Sequence, residues 1–238
     1  KVLLLNTPHN PTGKVFNQEE LHQLIKILHD YPHVIVVCDE VYEHILMKPF
    51  QHLHLADFPG LFDRVITVSS AGKTFSCTGY KIGWAIGPKA LIHAINIVNQ
   101  WSVFSINSLS QLLIADALEQ ANLPYQGHDT YYLWLQDKYQ QQYQALQLLI
   151  KDVGFHAIET QGSFMSMVEY ESFLPALQDY LASLDSNDIL HDKLIDYQMS
   201  TFLTKEIGVG TIPPSAFMQT LEEKEKIAKY IRFAFCKP

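Results

Sequence analysis

Two lysines stand in a stretch that has little other use for charge. In VITVSSAGKTFSCTGYKIGW, residues 65–84, an apolar run suited to a buried strand (Val65, Ile66, Val68) breaks into small residues around Lys73, and Lys81 follows eight positions later. An amine flanked by Ala71, Gly72 and Thr74 has room to swing, and can attack a carbonyl or carry a proton. A second amine and the hydroxyl of Ser70 suit an anion such as a phosphate. The nucleotide-binding phosphate loop is a poor match to AGKT: it needs a glycine six residues before the lysine, where this chain has Thr67. The acidic strand VIVVCDE also precedes the lysine, the reverse of the order in such enzymes.

A wider set gathers around the two lysines. Asp39 closes VIVVCDE, Tyr42 follows three residues on, and Asn10 sits in TPHNPTG after the apolar KVLLLN. With Ser70, Lys73 and Lys81, these residues lie at or just past the carboxyl ends of expected parallel strands, where open α/β sheets place ligands. A carboxylate, a phenol, an amide, a hydroxyl and two ammonium groups meet the needs of pyridoxal 5'-phosphate. Lys73 would condense with the cofactor aldehyde and then carry protons. Asp39 would pair with the pyridine nitrogen and keep it protonated, making the ring an electron sink. Tyr42 and Asn10 would hydrogen-bond the ring's phenolate oxygen, while Ser70 and Lys81 hold the phosphate. Singly, each has a plainer explanation: Asp39 caps a turn, Tyr42 is a rim aromatic, Lys81 a solvated edge charge. The combination carries the argument.

Arginine usage is an independent clue. Only two of the 17 Lys+Arg residues are arginine, Arg64 and Arg232. Arg232 lies in the apolar YIRFAFC, where a guanidinium needs a bidentate partner. A substrate α-carboxylate is one such partner, and a buried structural ion pair is the other.

Several elements must position these groups. KVLLLN has the pattern of a buried strand, and NQEELHQLIKILHD that of an amphipathic helix with Leu21, Leu24, Ile25 and Leu28 on one face and a capping box from Asn17 to Glu20. The continuously apolar VIVVCDE suits a strand covered on both faces, which completes a βαβ unit. RVITVSS and IGWAIG add two strands to the same sheet, two helical patterns follow from Pro88 to about Gly127, and a longer one runs from about Asp129 to Lys151. Then come strands in FHAIET and SFMSMVEY, a helix from about Ile189 to Glu206, VGTIPPSAF, the short charged helix EEKEKIAKY and a closing strand IRFAFCK. The expected architecture is an α/β large domain with a mainly parallel sheet over residues 1–135, followed by a smaller α+β domain over 136–238.

Composition narrows the function classes. The chain has 238 residues, 47% of them apolar and 12% aromatic, enough for a sizeable core. A net charge of -8 without clustered Lys and Arg argues against nucleic acid or anionic membrane as a partner. No apolar stretch approaches the roughly 20 residues that span a bilayer. Three cysteines without C-x-x-C spacing point to a reducing compartment, the cytoplasm. Lys1 already stands inside an apolar run, so a signal peptide's absence says nothing. Of the 11 histidines only His52 and His54 lie close together, in QHLHLADF, with no third ligand sensibly spaced; they are expected as solvated loop residues, and no metal is expected. Cys38 and Cys77 have no evident histidine partner and are expected to pack; Trp101, Phe104 and Tyr125 either border a substrate pocket or, as the better expectation for each, pack in the core.

Five segments carry a resemblance to a known family: NTPHNPTGKVF, VVCDEVYEHI, SSAGKTFSCTGYKIGWAIGP, IPPSAF and IRFAFCK. They resemble the fold-type I, class I/II aminotransferases, in the branch of kynurenine/glutamine aminotransferases, cysteine-conjugate β-lyases and bacterial methionine aminotransferases. The resemblance spans almost the whole chain. It implies the cofactor roles above for Asn10, Asp39, Tyr42, Ser70, Lys73 and Lys81, and substrate-carboxylate binding by Arg232 with Asn10. It further implies transamination of an apolar, thioether or aromatic amino acid with a 2-oxo acid acceptor, or β-lysis of cysteine conjugates at the same site, in a homodimer. Where many relatives carry arginine this chain has Lys81, which keeps the charge and loses the fork. Family members are longer by well over a hundred residues before the Asn-Pro turn. That segment supplies an aromatic stacked on the cofactor, backbone amides for its phosphate and further strands, so the resemblance implies an amino-terminally truncated chain, and an inactive fragment is the further alternative.

Overall fold

The computed structural model describes residues 1–236. It forms two compact units, one of Lys1–Asn10, Lys14–Gln140 and Gln161–Ser163, the other of Pro11–Gly13, Gln141–Thr160 and Phe164 onward.

The first unit is built on a four-stranded sheet of β1 (Val2–Asn6), β2 (Ile35–Asp39), β3 (Val65–Ser70) and β4 (Gly83–Ile86), in that order. The first three strands run parallel and β4 pairs antiparallel to β3. The crossover between β1 and β2 is α1 (Gln18–Asp30), whose amino end carries the expected capping box: the Asn17 side chain accepts from the Glu20 N–H, and the Glu20 carboxylate accepts from the Asn17 N–H. Leu21, Ile25 and Leu28, one turn apart, bury one face of α1 against Val36 and Cys38 of β2 and Val65 of β3. Cys38 packs as expected, and burial pushes its thiol up to about 12, with a further push from the Glu40 carboxylate.

Other apolar expectations fail. β1 is an edge strand, and Val2 and Leu4 are 66% and 71% exposed. α3 (Lys89–Ser102) and α4 (Ser108–Gln120) follow β4, and Trp101 and Phe104 between them are exposed rather than packed. Tyr125 is also exposed, at 38%, though its ring meets Tyr131 and Trp134 edge-on at the start of α5 (Tyr131–Asp152).

The second unit carries a three-stranded antiparallel sheet of β5 (His156–Ala157), β6 (Met165–Glu169) and β7 (Tyr230–Ala234), with β6 central. Its core joins Val168 and Ile231 of the sheet to α6 (Leu174–Ser183) through Leu177 and to α7 (Ile195–Phe202) through Met199 and Phe202. The expected single helix over 189–206 is three pieces: a 3-10 turn at Ile189–Asp192, α7, and a π-helical turn at Leu203–Ile207. α6 had no counterpart in the sequence expectations, and its proline stands at the first turn, where a missing N–H costs nothing. A short α8 (Leu221–Ile227), with its own capping box at Thr220 and Glu223, precedes β7.

Candidate active site

The parallel register sends the ends of β1, β2 and β3 to one edge of the sheet. Asn6 pairs with Asp39, and Asp39 with Val68, so Asp39 ends the middle strand beside its neighbours' ends. Asn6, which sequence reasoning passed over, ties this edge together. Its amide donates to the Asp39 carbonyl at 3.0 Å, and its Oδ1 accepts from the backbone N–H of Asn10 at 2.9 Å. The turn bearing Asn10 is thereby fastened to the strand bearing Asp39. Asp39 Oδ1 also accepts from the Val41 N–H at 3.3 Å, which orients the carboxylate and starts the turn leading to buried Tyr42.

Lys73 rides on α2 (Ala71–Thr74), a single turn that begins where β3 stops. Ser70 occupies the position before this turn, yet its hydroxyl makes no capping bond. A helix this short closes only the bond from Phe75 N–H to Ala71 O within itself, and its other carbonyls find partners elsewhere. Ala71 O accepts from Cys77 Sγ at 3.3 Å and from the Phe75 N–H, Gly72 O from Thr78 Oγ1 at 3.1 Å, Lys73 O from the Ser76 N–H at 3.4 Å, and Thr74 O from Tyr131 Oη at 2.8 Å. Burial pushes the Tyr131 phenol up to about 12, so it remains a donor throughout the neutral range. Close packing adds to the fixation: a Cβ on Gly72 would meet Thr78 Cα at 3.2 Å. The backbone beneath Lys73 is thus pinned from several sides.

Lys81 lies at the same sheet edge because β4 reverses direction. Ser70 pairs with Gly83, and the Ala71 N–H donates to Ile82 O at 3.1 Å, so the residues just before β4 flank α2. Lys81 itself is exposed and holds a left-handed backbone, φ 56°, as does Ser76 at φ 53°. Two non-glycine residues in that region bracket the Cys77–Tyr80 loop, a local strain that functional loops tend to hold. Six of the expected residues, Asn10, Asp39, Tyr42, Ser70, Lys73 and Lys81, therefore come to one edge of the first unit's sheet or the turns beside it. Arg232 belongs to the second unit. It pairs with Met167 in the sheet and exchanges two backbone hydrogen bonds with Ile212, and its guanidinium lies 5.0 Å from the centroid of Phe217.

The family model for aminotransferase class I and II matches residues 1–223. The chain belongs to the class I and II aminotransferase family. It is 38% identical over 240 residues to the kynurenine–oxoglutarate transaminase of Dictyostelium discoideum, covering 100% of this chain and 53% of that one. Among solved structures, the N-succinyldiaminopimelate aminotransferase of Mycobacterium tuberculosis superposes with a TM-score of 0.82 at 29% identity, over 100% of this chain and 54% of that one. YbdL from Escherichia coli, described with a methionine aminotransferase function, gives a TM-score of 0.78 at 30% identity, over 99% and 54%. The chain spans about half the length of the relatives it matches. Aminotransferases of this family depend on pyridoxal phosphate. The donor set fits that group, with an amine on a pinned turn, a carboxylate at the next strand end, a hydroxyl not spent on capping, and a second amine on the same edge.

One expectation about this family member is overturned. His52 and His54 are not solvated loop histidines: the His52 side chain is 4% exposed, and both rings approach the fully buried carboxylate of Glu40. Sequence distance hid the third partner, since Glu40 lies 12 residues before His52, across the turn after β2.

No helix among the described residues is long and apolar enough to cross a membrane.

Proposed function

We propose that the protein is a pyridoxal-phosphate-dependent aminotransferase that moves the amino group of an apolar, thioether or aromatic amino acid to a 2-oxo acid. The observation that supports it most is the convergence of Asp39, Ser70 and Lys73 on adjacent strand ends, with Asn10 tied to the same edge through Asn6. The relatives named for kynurenine and methionine support the substrate class, because both amino acids carry large side chains of low charge.

When bound, the cofactor supplies an aldehyde and a protonated pyridine ring that takes up an electron pair from the substrate Cα. Lys73 would hold the aldehyde end, and its free Nζ would accept and return the proton of the substrate Cα. The pinned turn beneath it limits the search of that side chain to its own rotamers. Asp39 keeps a proton on the ring nitrogen. Asn10 and the Tyr42 hydroxyl act on the ring's oxygen, and Ser70 and Lys81 neutralise the phosphate. Arg232, on the second unit, has the planar fork that a substrate carboxylate would need.

The test is reductive labelling. Protein incubated with pyridoxal phosphate should absorb in the visible and, after borohydride, carry one pyridoxyl group on Lys73 by peptide mass spectrometry. Lys73→Ala protein should carry none there. A label confined to surface lysines would refute the reading. With substrate, an oxo acid product supports transamination, and pyruvate with ammonia from a cysteine conjugate marks β-lysis instead.

A further inference from the structure

We propose that Glu40, His52 and His54 form a binding site for a divalent transition metal ion of the zinc kind, separate from the cofactor site. Glu40 follows Asp39 at the end of β2, and successive strand residues face opposite ways. Glu40 shares the face of Cys38, whose thiol feels the Glu40 charge, and so turns away from the edge that Asp39 serves.

The geometry is convergent. Glu40 is fully buried, and its backbone N–H donates to Val68 O, which fixes the residue to β3. Its Oε2 meets His54 Nδ1 and lies 3.1 Å from His52 Nε2. The two rings stand edge to face with centroids 4.7 Å apart. One ligand atom from each of the three residues lies within 4.8 Å of the others. A tetrahedral ion with bonds of about 2.0–2.2 Å wants its donors roughly 3.4 Å apart, a shift within reach of side-chain rotation. Glu43 Oε2 lies 3.8 Å from His54 Nε2, the ring nitrogen facing away from Glu40, where it would accept that N–H and orient the ring, and its Oε1 is already oriented by the Ser69 hydroxyl at 2.8 Å.

Protein partners alone leave this cluster incomplete. Glu40 Oε1 and His52 Nδ1 are buried without a hydrogen-bond partner, and His52 Nε2 has only its poorly aligned 3.1 Å approach to Glu40 Oε2. Buried polar atoms are almost always paired, and a buried carboxylate facing two imidazoles is costly unless every lone pair is used. A cation uses them. It would draw an electron pair from each imidazole and from the carboxylate, releasing any proton shared between His54 and Glu40. Two nitrogen donors with one oxygen favour zinc-like ions over magnesium or calcium, which take oxygen ligands. A cavity of about 680 Å³, lined by Glu43, His44, His52 and His54 among others, gives an entry path and room for a water ligand. Filling the site would clamp the loop bearing His52 and His54 onto the turn that follows β2.

The experiment uses protein stripped by a chelator and titrated with Zn²⁺ against a chromogenic competitor, with Co²⁺ as the spectroscopic probe. The expected result is one tight ion per chain, a cobalt spectrum of four- or five-fold coordination, and a melting temperature that rises with added zinc. His54→Ser removes a ligand at the cavity rim, where the side chain is 39% exposed, and should weaken binding by about 100-fold or more, beyond the loss typical of an outer-shell partner. Glu40→Gln is the second variant should His54→Ser fail to fold. Lys73→Ala should bind the ion as the parent does. Equal zinc uptake by the parent and either ligand variant, or a cobalt spectrum of the six-coordinate aqueous ion only, would overturn the proposal.

Discussion

The Tyr131 hydroxyl donates to the carbonyl of Thr74 at 2.8 Å, joining α5 to the turn that carries Lys73 across 57 residues of chain. Thr74 is buried, so its carbonyl has no water to turn to when the phenol is removed. Tyr131→Phe keeps the ring, its contact with Phe75 and its neighbours, and deletes only the donor. The expected cost is about 1–3 kcal/mol, the penalty of an unsatisfied buried acceptor. Urea denaturation measures that loss, and the yield of pyridoxyl-labelled Lys73 should fall with it while Lys73 itself is untouched.

Gly87 closes β4 with no room for a side chain. A Cβ there would lie 2.8 Å from the carbonyl oxygen of Val65 and 3.4 Å from Ile66 Cα, both backbone atoms of the neighbouring strand. Gly87→Ala must spread β3 from β4 and should destabilise by about 1–3 kcal/mol. Gly60→Ala, with open space around the Cβ but φ at 78°, tests a different cause, backbone strain alone at about 1–2 kcal/mol. Thermal melts of the two variants should both shift down, and only Gly87→Ala should alter the spectrum of bound cofactor.

In the second unit, Asp196 is fully buried at the start of α7 and holds the IPPSAF segment. Its Oδ2 accepts from the Ser215 N–H at 2.8 Å, and its Oδ1 accepts from the Ser215 hydroxyl at 3.0 Å and the Tyr197 N–H at 2.9 Å. Asp196→Ala leaves buried donors unpaired and should cost about 2–4 kcal/mol. Asp196→Asn should recover part of this, since its oxygen still accepts while its amide faces the Ser215 N–H. Denaturant titration followed by near-ultraviolet circular dichroism reads both.

Acid should weaken α1 through Glu20. Lys14 donates to Glu20 Oε2 at 2.7 Å and the Asn17 N–H donates to the same oxygen, and these bonds hold the Glu20 carboxyl below its ordinary value of 4.5. A depressed folded value means that the contribution is present above about pH 4.5 and is lost as pH falls through the folded value. The carboxylate is largely solvated, so the effect is small, a few tenths of a kcal/mol. The stability difference between the parent and Glu20→Gln should therefore be constant from pH 7 to about 5 and shrink toward zero as pH falls through the folded value. A difference that grew on acidification would contradict this assignment.

Much of the molecule was legible in order of sequence. The period-3.6 pattern of Leu21, Ile25 and Leu28, the Asn17–Glu20 spacing and the continuous apolar runs at Ile35–Asp39 and Val65–Ser70 report local geometry and burial. Local preference and tertiary packing agree there. The candidate cofactor residues were legible for the same reason: parallel strands carry their carboxyl ends to one edge whatever the loops do. The sequence was less informative where a residue's surroundings come from far along the chain. Val2, Leu4, Trp101 and Phe104 have the composition of core residues, but exposure depends on what covers them, which composition does not encode.

By itself, then, the sequence determined the strands and first helix of the first unit and the family, and it marked Lys73 and Asp39 as candidates for cofactor chemistry, because each rests on residue types at short, regular spacing. Tertiary structure alone decided that Tyr131 reaches the carbonyl of Thr74, that Asn6 fastens Asn10 to Asp39, and that Glu40 meets two histidines a loop away. The physical reason is common to all three. A hydrogen bond or a shared ion depends on the meeting of two groups in space, and the separation along the chain carries no trace of it once the intervening segment has folded back.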